Sequence, residues 1–264
     1  MARTREEVST ADQRPEADDA DRLVKDTGAP IPRARGRAVP FPIAFYRSSV
    51  GKKWVMAITG VVGMGFVFAH MVGNLHVFEG PNQINEYGEW LRELLDPPFP
   101  RTFVLWAMRI GLVTAILLHL HAAYSLTRVN QKARPVKYQS KRDYVAADFA
   151  SRTMRWTGII VLLFLIFHLM DLSFGASNPG FVRGDVNRNL VASLEQWPVA
   201  LAYIVANLAL GFHLYHGAWS LFQSVGLNSP RLNPIRRPFA IAFAAVVTIG
   251  FISVPIAVLA GVVE

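Results

Sequence analysis

From residue 54 onward the chain alternates long apolar runs with short polar loops. The apolar runs cover about residues 54–78, 102–127, 156–173, 198–222 and 239–263. A helix needs about 20 apolar residues to cross the hydrocarbon core of a bilayer, and each run is close to or beyond that length. Inside lipid the backbone must satisfy its own hydrogen bonds, so the pattern predicts an all-α fold, a transmembrane bundle of five spans within one membrane domain, residues 41–264. Residues 1–40 differ in kind. They are rich in Asp, Glu, Arg and Ala, contain Pro15, Pro30, Pro32 and Pro40, and show no apolar periodicity, which predicts a disordered or loosely docked cytoplasmic tail. A secretory signal is not expected, because the first apolar run starts too late. The segment FPIAFYRSSVGKK, residues 41–53, has the basic, amphipathic character of an interfacial lead-in, and Ser48 and Ser49 are suited to cap the helix after it.

Four of the five runs are interrupted by histidine: His70 in the first, His119 and His121 in the second, His168 in the third, His213 and His216 in the fourth. An ionisable residue within a span usually faces the bundle interior and has a partner there. At 1.5 Å of rise per residue from the inner end of each span, His70 lies roughly 25 Å deep, His168 roughly 20 Å, His213 roughly 14 Å and His121 roughly 9 Å. This makes an outer pair, His70 with His168, and an inner pair, His121 with His213; depth alone does not choose between His213 and His216, which are one turn apart. His119 and His121 point roughly 200° apart, so only one of them can face a given site. Two histidines at one level on facing helices are what six-coordinate haem iron requires, and such a site suits electron transfer because no iron position stays open. The bland alternative is hydrogen-bonded contact between helices. The glycines of the first span (Gly60, Gly63, Gly65, Gly73) serve either close helix packing or room for a flat cofactor beside His70.

Composition narrows the chemistry. The chain is 52% hydrophobic and 17% charged, with a net charge of +8 and no cysteine. Without cysteine this chain cannot supply a disulfide framework, a thiolate zinc site or an all-cysteine iron–sulfur cluster, so any metal takes histidine or oxygen ligands. The positive charge sits in loops rather than in a nucleic-acid-binding patch. Residues 128–155 hold eight Lys and Arg against two acids, and Arg231, Arg236 and Arg237 in the loop after the fourth span face no acid. The positive-inside rule then places the N-terminus and both basic loops in the cytoplasm and the C-terminus outside. The loop after the first span carries five acids against two bases, and its PNQINEYGEWLREL portion suits a short surface helix that ends at the following prolines.

The segments SSVGKKWVMAITG (48–60) with FAHMVGN (68–74), LHAAYSL (120–126), RWTGIIVLLFLIFHLMD (155–171) and GFHLYHGAWS (211–220) resemble the membrane anchor of the five-helix, two-haem succinate:quinone oxidoreductases of the cytochrome b558 type. The similarity spans about residues 45–260 and leaves out the tail. It implies an electron-transfer subunit in the cell inner (plasma) membrane. This subunit would pass electrons between a cytoplasmic flavoprotein and iron–sulfur pair and a quinone, menaquinone or ubiquinone, in a succinate dehydrogenase or fumarate reductase complex that can itself oligomerise. It also implies two haems b, with first-helix His70 and third-helix His168 holding the distal one and second-helix His121 and fourth-helix His213 the proximal one. The sequence departs from the pattern at His216, where the family is expected to have Asn, and in the additional His76 and His119. Another histidine-ligated iron centre in place of a haem is therefore the alternative cofactor.

With no flavin fingerprint and no cysteine ligands, the chain is not expected to be catalytic alone. Quinone reduction takes protons as well as electrons, which singles out two groups at the outer end, His76 and Asp171. At the inner end Ser49, Lys52, Arg152 and Arg155 gather where the first and third spans begin, suited to haem propionates or a quinone carbonyl. The rival function is a histidine-bearing transporter or proton channel, which would carry no chromophore. An intramembrane metallohydrolase is disfavoured, since no His-Glu-x-x-His pair occurs.

Overall fold

The computed structural model describes residues 40–133, 149–227 and 229–264, with side chains from residue 153 onward in the second stretch. The expected tail up to residue 39, most of the strongly basic loop and the Arg152 side chain lie outside the described residues.

Helix α1 (Phe41–Arg47) meets α2 (Ser49–Leu75) at Ser48. Ser48 caps α2: its hydroxyl accepts from the Gly51 amide at 2.9 Å and donates to the Phe45 carbonyl at 2.6 Å, satisfying one of the unpaired first-turn donors. Ser49 is the first residue of the helix and exposed. The corner needs glycine at position 51, because a Cβ there would collide with the Phe45 carbonyl. After α2 a 3₁₀ turn (His76–Glu79) leads to Gly80, whose φ of +117° lets Pro81 open α3 (Pro81–Glu93), the short surface helix expected from the acidic loop. Then follow α4 (Phe103–Lys132), α5 (Phe149–His168), a π turn (Leu169–Ser173), α6 (Val186–Leu194), α7 (Trp197–Ser224) and α8 (Asn233–Leu259).

Among the described residues, five helices are long and apolar enough to cross a membrane: Ser49–Glu79, Phe103–Lys132, Thr153–Ser173, Trp197–Ser224 and Asn233–Leu259. Their outward faces are apolar, as at Ile110, Leu117, Leu163 and Ile249, which suits a lipid surround. Helix α2 packs against α4, α7 and α8, while α7 packs against α2, α5 and α8. Four helices thus follow one another as α4, α2, α7, α5, and α8 covers the side formed by α2 and α7. The α2/α5 and α4/α7 pairs are the diagonals of this bundle, and their backbones do not pack closely. Small residues permit the tight contacts. Gly211 of α7 lies under Thr248 of α8, and Gly250 of α8 lies under Met71 of α2.

The outer end is closed by α6, which lies between the third and fourth apolar runs. Asp185 caps it, accepting from the Arg188 amide at 3.1 Å. Asn85 of α3 ties to the same end, its carbonyl oxygen accepting from the Val186 and Asn187 amides at 2.7 and 3.1 Å. Leu190 and Leu194 of α6 are buried with Val77, Ile84, Tyr203 and Val258. The lid fixes the outer ends of α5 and α7 and encloses Asp171.

Candidate functional site: two imidazole pairs across the bundle

The rings of His70 on α2 and His168 on α5 lie with centroids 5.8 Å apart, nearly perpendicular. This is the outer pair expected from depth. Phe66 and Phe251 flank His70, at 5.4 and 5.8 Å between centroids, and Phe164 flanks His168 at 5.8 Å. At the inner level the ring that meets His213 belongs to His119, with centroids 6.4 Å apart. His121 is exposed, stacks on Tyr46 of α1 at 5.7 Å and has its Nδ1 2.5 Å from the Tyr46 hydroxyl. The helical offset of roughly 200° that allows only one of the two to face a site thus selects His119 here. His216, one turn beyond His213, turns instead to Trp219, at 6.0 Å.

Both pairs lie on diagonals of the bundle. The imidazoles meet across helices that share few backbone contacts, so side chains rather than backbones bridge each diagonal. A metal ion bonded to two opposed imidazoles at about 2 Å each, with each ring centre about 1 Å beyond its nitrogen, leaves centroids about 6 Å apart; the separations of 5.8 and 6.4 Å match it. The glycines leave space on the same faces. A Cβ at Gly63, two turns before His70, or at Gly217, one turn after His213, would touch nothing within 4 Å. Among the described residues no group of three or more His, Asp or Glu side chains converges as a metal site. A bare ion would be short of ligands; iron that arrives in a macrocycle needs only two axial imidazoles.

Hydroxyl groups sit at Nδ1 of three paired histidines. Thr59 Oγ1 is 3.1 Å from His119 Nδ1, Thr157 Oγ1 is 3.5 Å from His213 Nδ1, and the Tyr203 hydroxyl is 3.3 Å from His168 Nδ1. In the two inner cases the next residue is glycine, and the ring lies over it: Cβ positions at Gly60 and Gly158 fall 3.7 and 3.4 Å from Cε1 of His119 and His213. The Thr-Gly steps of α2 and α5 form matching seats. The histidines alone do not indicate these seats; the signal in the sequence is the recurring Thr-Gly step of the ITG and WTG tripeptides.

The two outer candidates for proton chemistry occupy different surroundings. His76 is partly exposed, its Nδ1 3.0 Å from Glu79 Oε2 and its ring stacked on Tyr87 at 4.8 Å. Asp171, turned inward by the π turn, is 1% exposed, and its Oδ2 accepts from Ser193 at 2.5 Å and Tyr203 at 2.8 Å. Among the described residues no hydrogen bond or ion pair joins the two. At the inner end Ser49 and Arg155 are exposed and Lys52 partly so.

The family model of the succinate dehydrogenase/fumarate reductase transmembrane subunit matches residues 130–253. The chain is also 26% identical to the succinate dehydrogenase cytochrome b558 subunit of Bacillus subtilis (strain 168) over 179 residues, covering 66% of this chain and 80% of that relative. No solved structure matches the chain.

Proposed function

We propose that the chain is the membrane anchor of a succinate dehydrogenase/fumarate reductase complex, as the family match over residues 130–253 and the Bacillus subtilis relative support, and that it carries electrons across its bundle through two haems b held by the diagonal imidazole pairs. The observation that carries this reading is the pairing itself: two imidazole pairs, with ring centroids 5.8 and 6.4 Å apart, on helices that share few backbone contacts. Neither comparison supports the transporter or proton channel.

His70 and His168 would hold the outer haem. His213 would hold the inner one with a histidine of α4, which the geometry gives as His119 and the sequence motif as His121. When bound, haem supplies a one-electron carrier, and two imidazoles leave its iron no open position for substrate. The protein's part is placement. Tyr203, which touches His168, and His213 are ten residues apart on α7, about 15 Å along its axis, so the pairs form two separate levels. Phe66, Phe164 and Phe251 exclude water from the outer pair. Beyond it, His76 beside Glu79 is placed to exchange protons with a quinone reaching the outer edge of the bundle.

The inner end would dock the flavoprotein and iron–sulfur subunits of the complex through α1, the basic loop of residues 128–155 and the polar and basic residues that begin the first and third spans, Ser49, Lys52, Arg152 and Arg155. That orientation puts the N-terminus in the cytoplasm and the C-terminus outside, in the plasma membrane. The test is a reduced-minus-oxidised absorbance spectrum of the purified complex and its single histidine variants. Two b-type components are expected, and His168→Ala should remove one and spare the other. A complex without haem, or a spectrum that no histidine replacement changes, would overturn the proposal.

A further inference from the structure

We propose that Thr59, Thr157 and Tyr203 are positioning residues that fix the tautomer of His119, His213 and His168, and that Tyr203, backed by Asp171, tunes the outer centre. The inference rests on the axial-ligand reading above and extends it to residues that would not touch iron. Each hydroxyl has one proton to donate, so where that proton goes decides what the oxygen can do for the histidine.

Tyr203 donates to Asp171 Oδ2 at 2.8 Å. Its oxygen can therefore only accept from His168, and the bond at 3.3 Å requires the proton on Nδ1. The lone pair is then on Nε2, where an axial ligand needs it. The threonines repeat the logic with the backbone as acceptor. Thr59 Oγ1 donates to the Val55 carbonyl at 2.7 Å, sharing with Met56 at 3.2 Å, and Thr157 Oγ1 donates to Met154 at 3.0 Å, sharing with Thr153 at 3.3 Å. Each threonine is thus left as an acceptor for the imidazole N–H.

The three bonds differ in strength. Thr157 is at the edge of bonding distance from His213, at 3.5 Å, whereas Tyr203 is held from behind. Asp171 takes a second bond from Ser193 at 2.5 Å, and the carboxyl and both hydroxyl-bearing residues are buried. In an apolar interior such a chain of bonds is polarised and rigid. An acceptor at Nδ1–H makes an imidazole a stronger electron donor, which favours the oxidised iron. Tyr203 and Asp171 therefore hold the outer centre at a lower potential than His168 alone would give.

The experiment is redox titration of the assembled complex, followed by absorbance and low-temperature electron paramagnetic resonance. Tyr203→Phe removes the acceptor and keeps the ring. It should shift the reduction equilibrium of the component assigned to His168 about tenfold toward the reduced form, about 59 mV for a one-electron couple. The g-values of that component should move and those of the other stay. Thr59→Val should do the same at the inner component, and Thr59→Ser should restore it, which keeps the inference testable if the tyrosine variant fails to assemble. The two levels of failure are distinguishable. If His168→Ala leaves both components, the ligand assignment is wrong. If it removes one, and neither Tyr203→Phe nor Thr59→Val moves a potential or a g-value, the ligands stand and this inference is overturned.

Discussion

His119 and His121 sit two positions apart on α4 and serve different neighbours: His119 faces His213 across the bundle with Thr59 at its Nδ1, while His121 stacks on Tyr46 of α1. The first contact lies on a diagonal of the bundle, the second at its inner rim. His121 thereby links the interfacial helix to α4.

The pair predicts a split between two variants. His119→Ala should abolish the inner b-type component, and His121→Ala should leave it while loosening α1. The check is the difference spectrum of each variant complex. Loss of the component in His121→Ala alone would show that α4 turns to present the other ring when haem binds, and would restore the motif's choice.

The glycine seats predict a size limit. Gly158 holds the His213 ring at contact distance, 3.4 Å from where its Cβ would stand, so Gly158→Ala should be tolerated. Gly158→Leu should displace the imidazole, destabilise the fold by about 1–3 kcal/mol through overpacking, and lower inner haem content while sparing the outer. Haem-to-protein ratio and thermal unfolding of the purified complex measure both effects. Equal occupancy of both sites in Gly158→Leu would refute the seat.

Much of this architecture was legible because lipid simplifies the code. A span must be long, apolar and helical, so the five runs stood out, and a histidine in a span stood out against them. Depth alone paired His70 with His168. What depth could not resolve was rotation about the helix axis: His119 and His121 differ by only about 3 Å in rise, and only packing decides which ring points inward. Helix α6 was missed for another reason. Its nine residues are too few to show a period, and its burial depends on α3, α7 and α8. Asp171 read only as an acid at the outer end of its span, because a π turn that swings it inward leaves no mark in hydropathy.

Orientation is open to direct labelling, since the chain has no native cysteine. A single cysteine replacing Gln139, in the basic loop, should react with an impermeant thiol reagent only when the inner face is accessible, and one replacing Val262 only from the outside. The expectation follows from the eight Lys and Arg of residues 128–155. Labelling of the loop cysteine in intact cells would invert the topology and move the docking surface to the other face.

Quinone chemistry separates the two outer candidates. A proton donor must reach the quinone carbonyl. His76 is partly exposed beside Glu79 and Tyr87, whereas Asp171 is enclosed by the α6 lid and already bonded to Ser193 and Tyr203. The expected outcome is that His76→Ala lowers succinate:quinone activity by about 100-fold or more relative to succinate oxidation by an artificial dye, which bypasses the membrane subunit. Asp171→Asn should change that ratio little. Tyr203→Phe is the control for any effect passed through His168, since it cuts the same chain of bonds without touching the carboxyl. A ratio that falls in Asp171→Asn but not in Tyr203→Phe or His76→Ala would make the buried carboxyl the proton group and require the lid to open during turnover. A ratio unchanged in all three would move the quinone to the inner end, where the first and third spans begin.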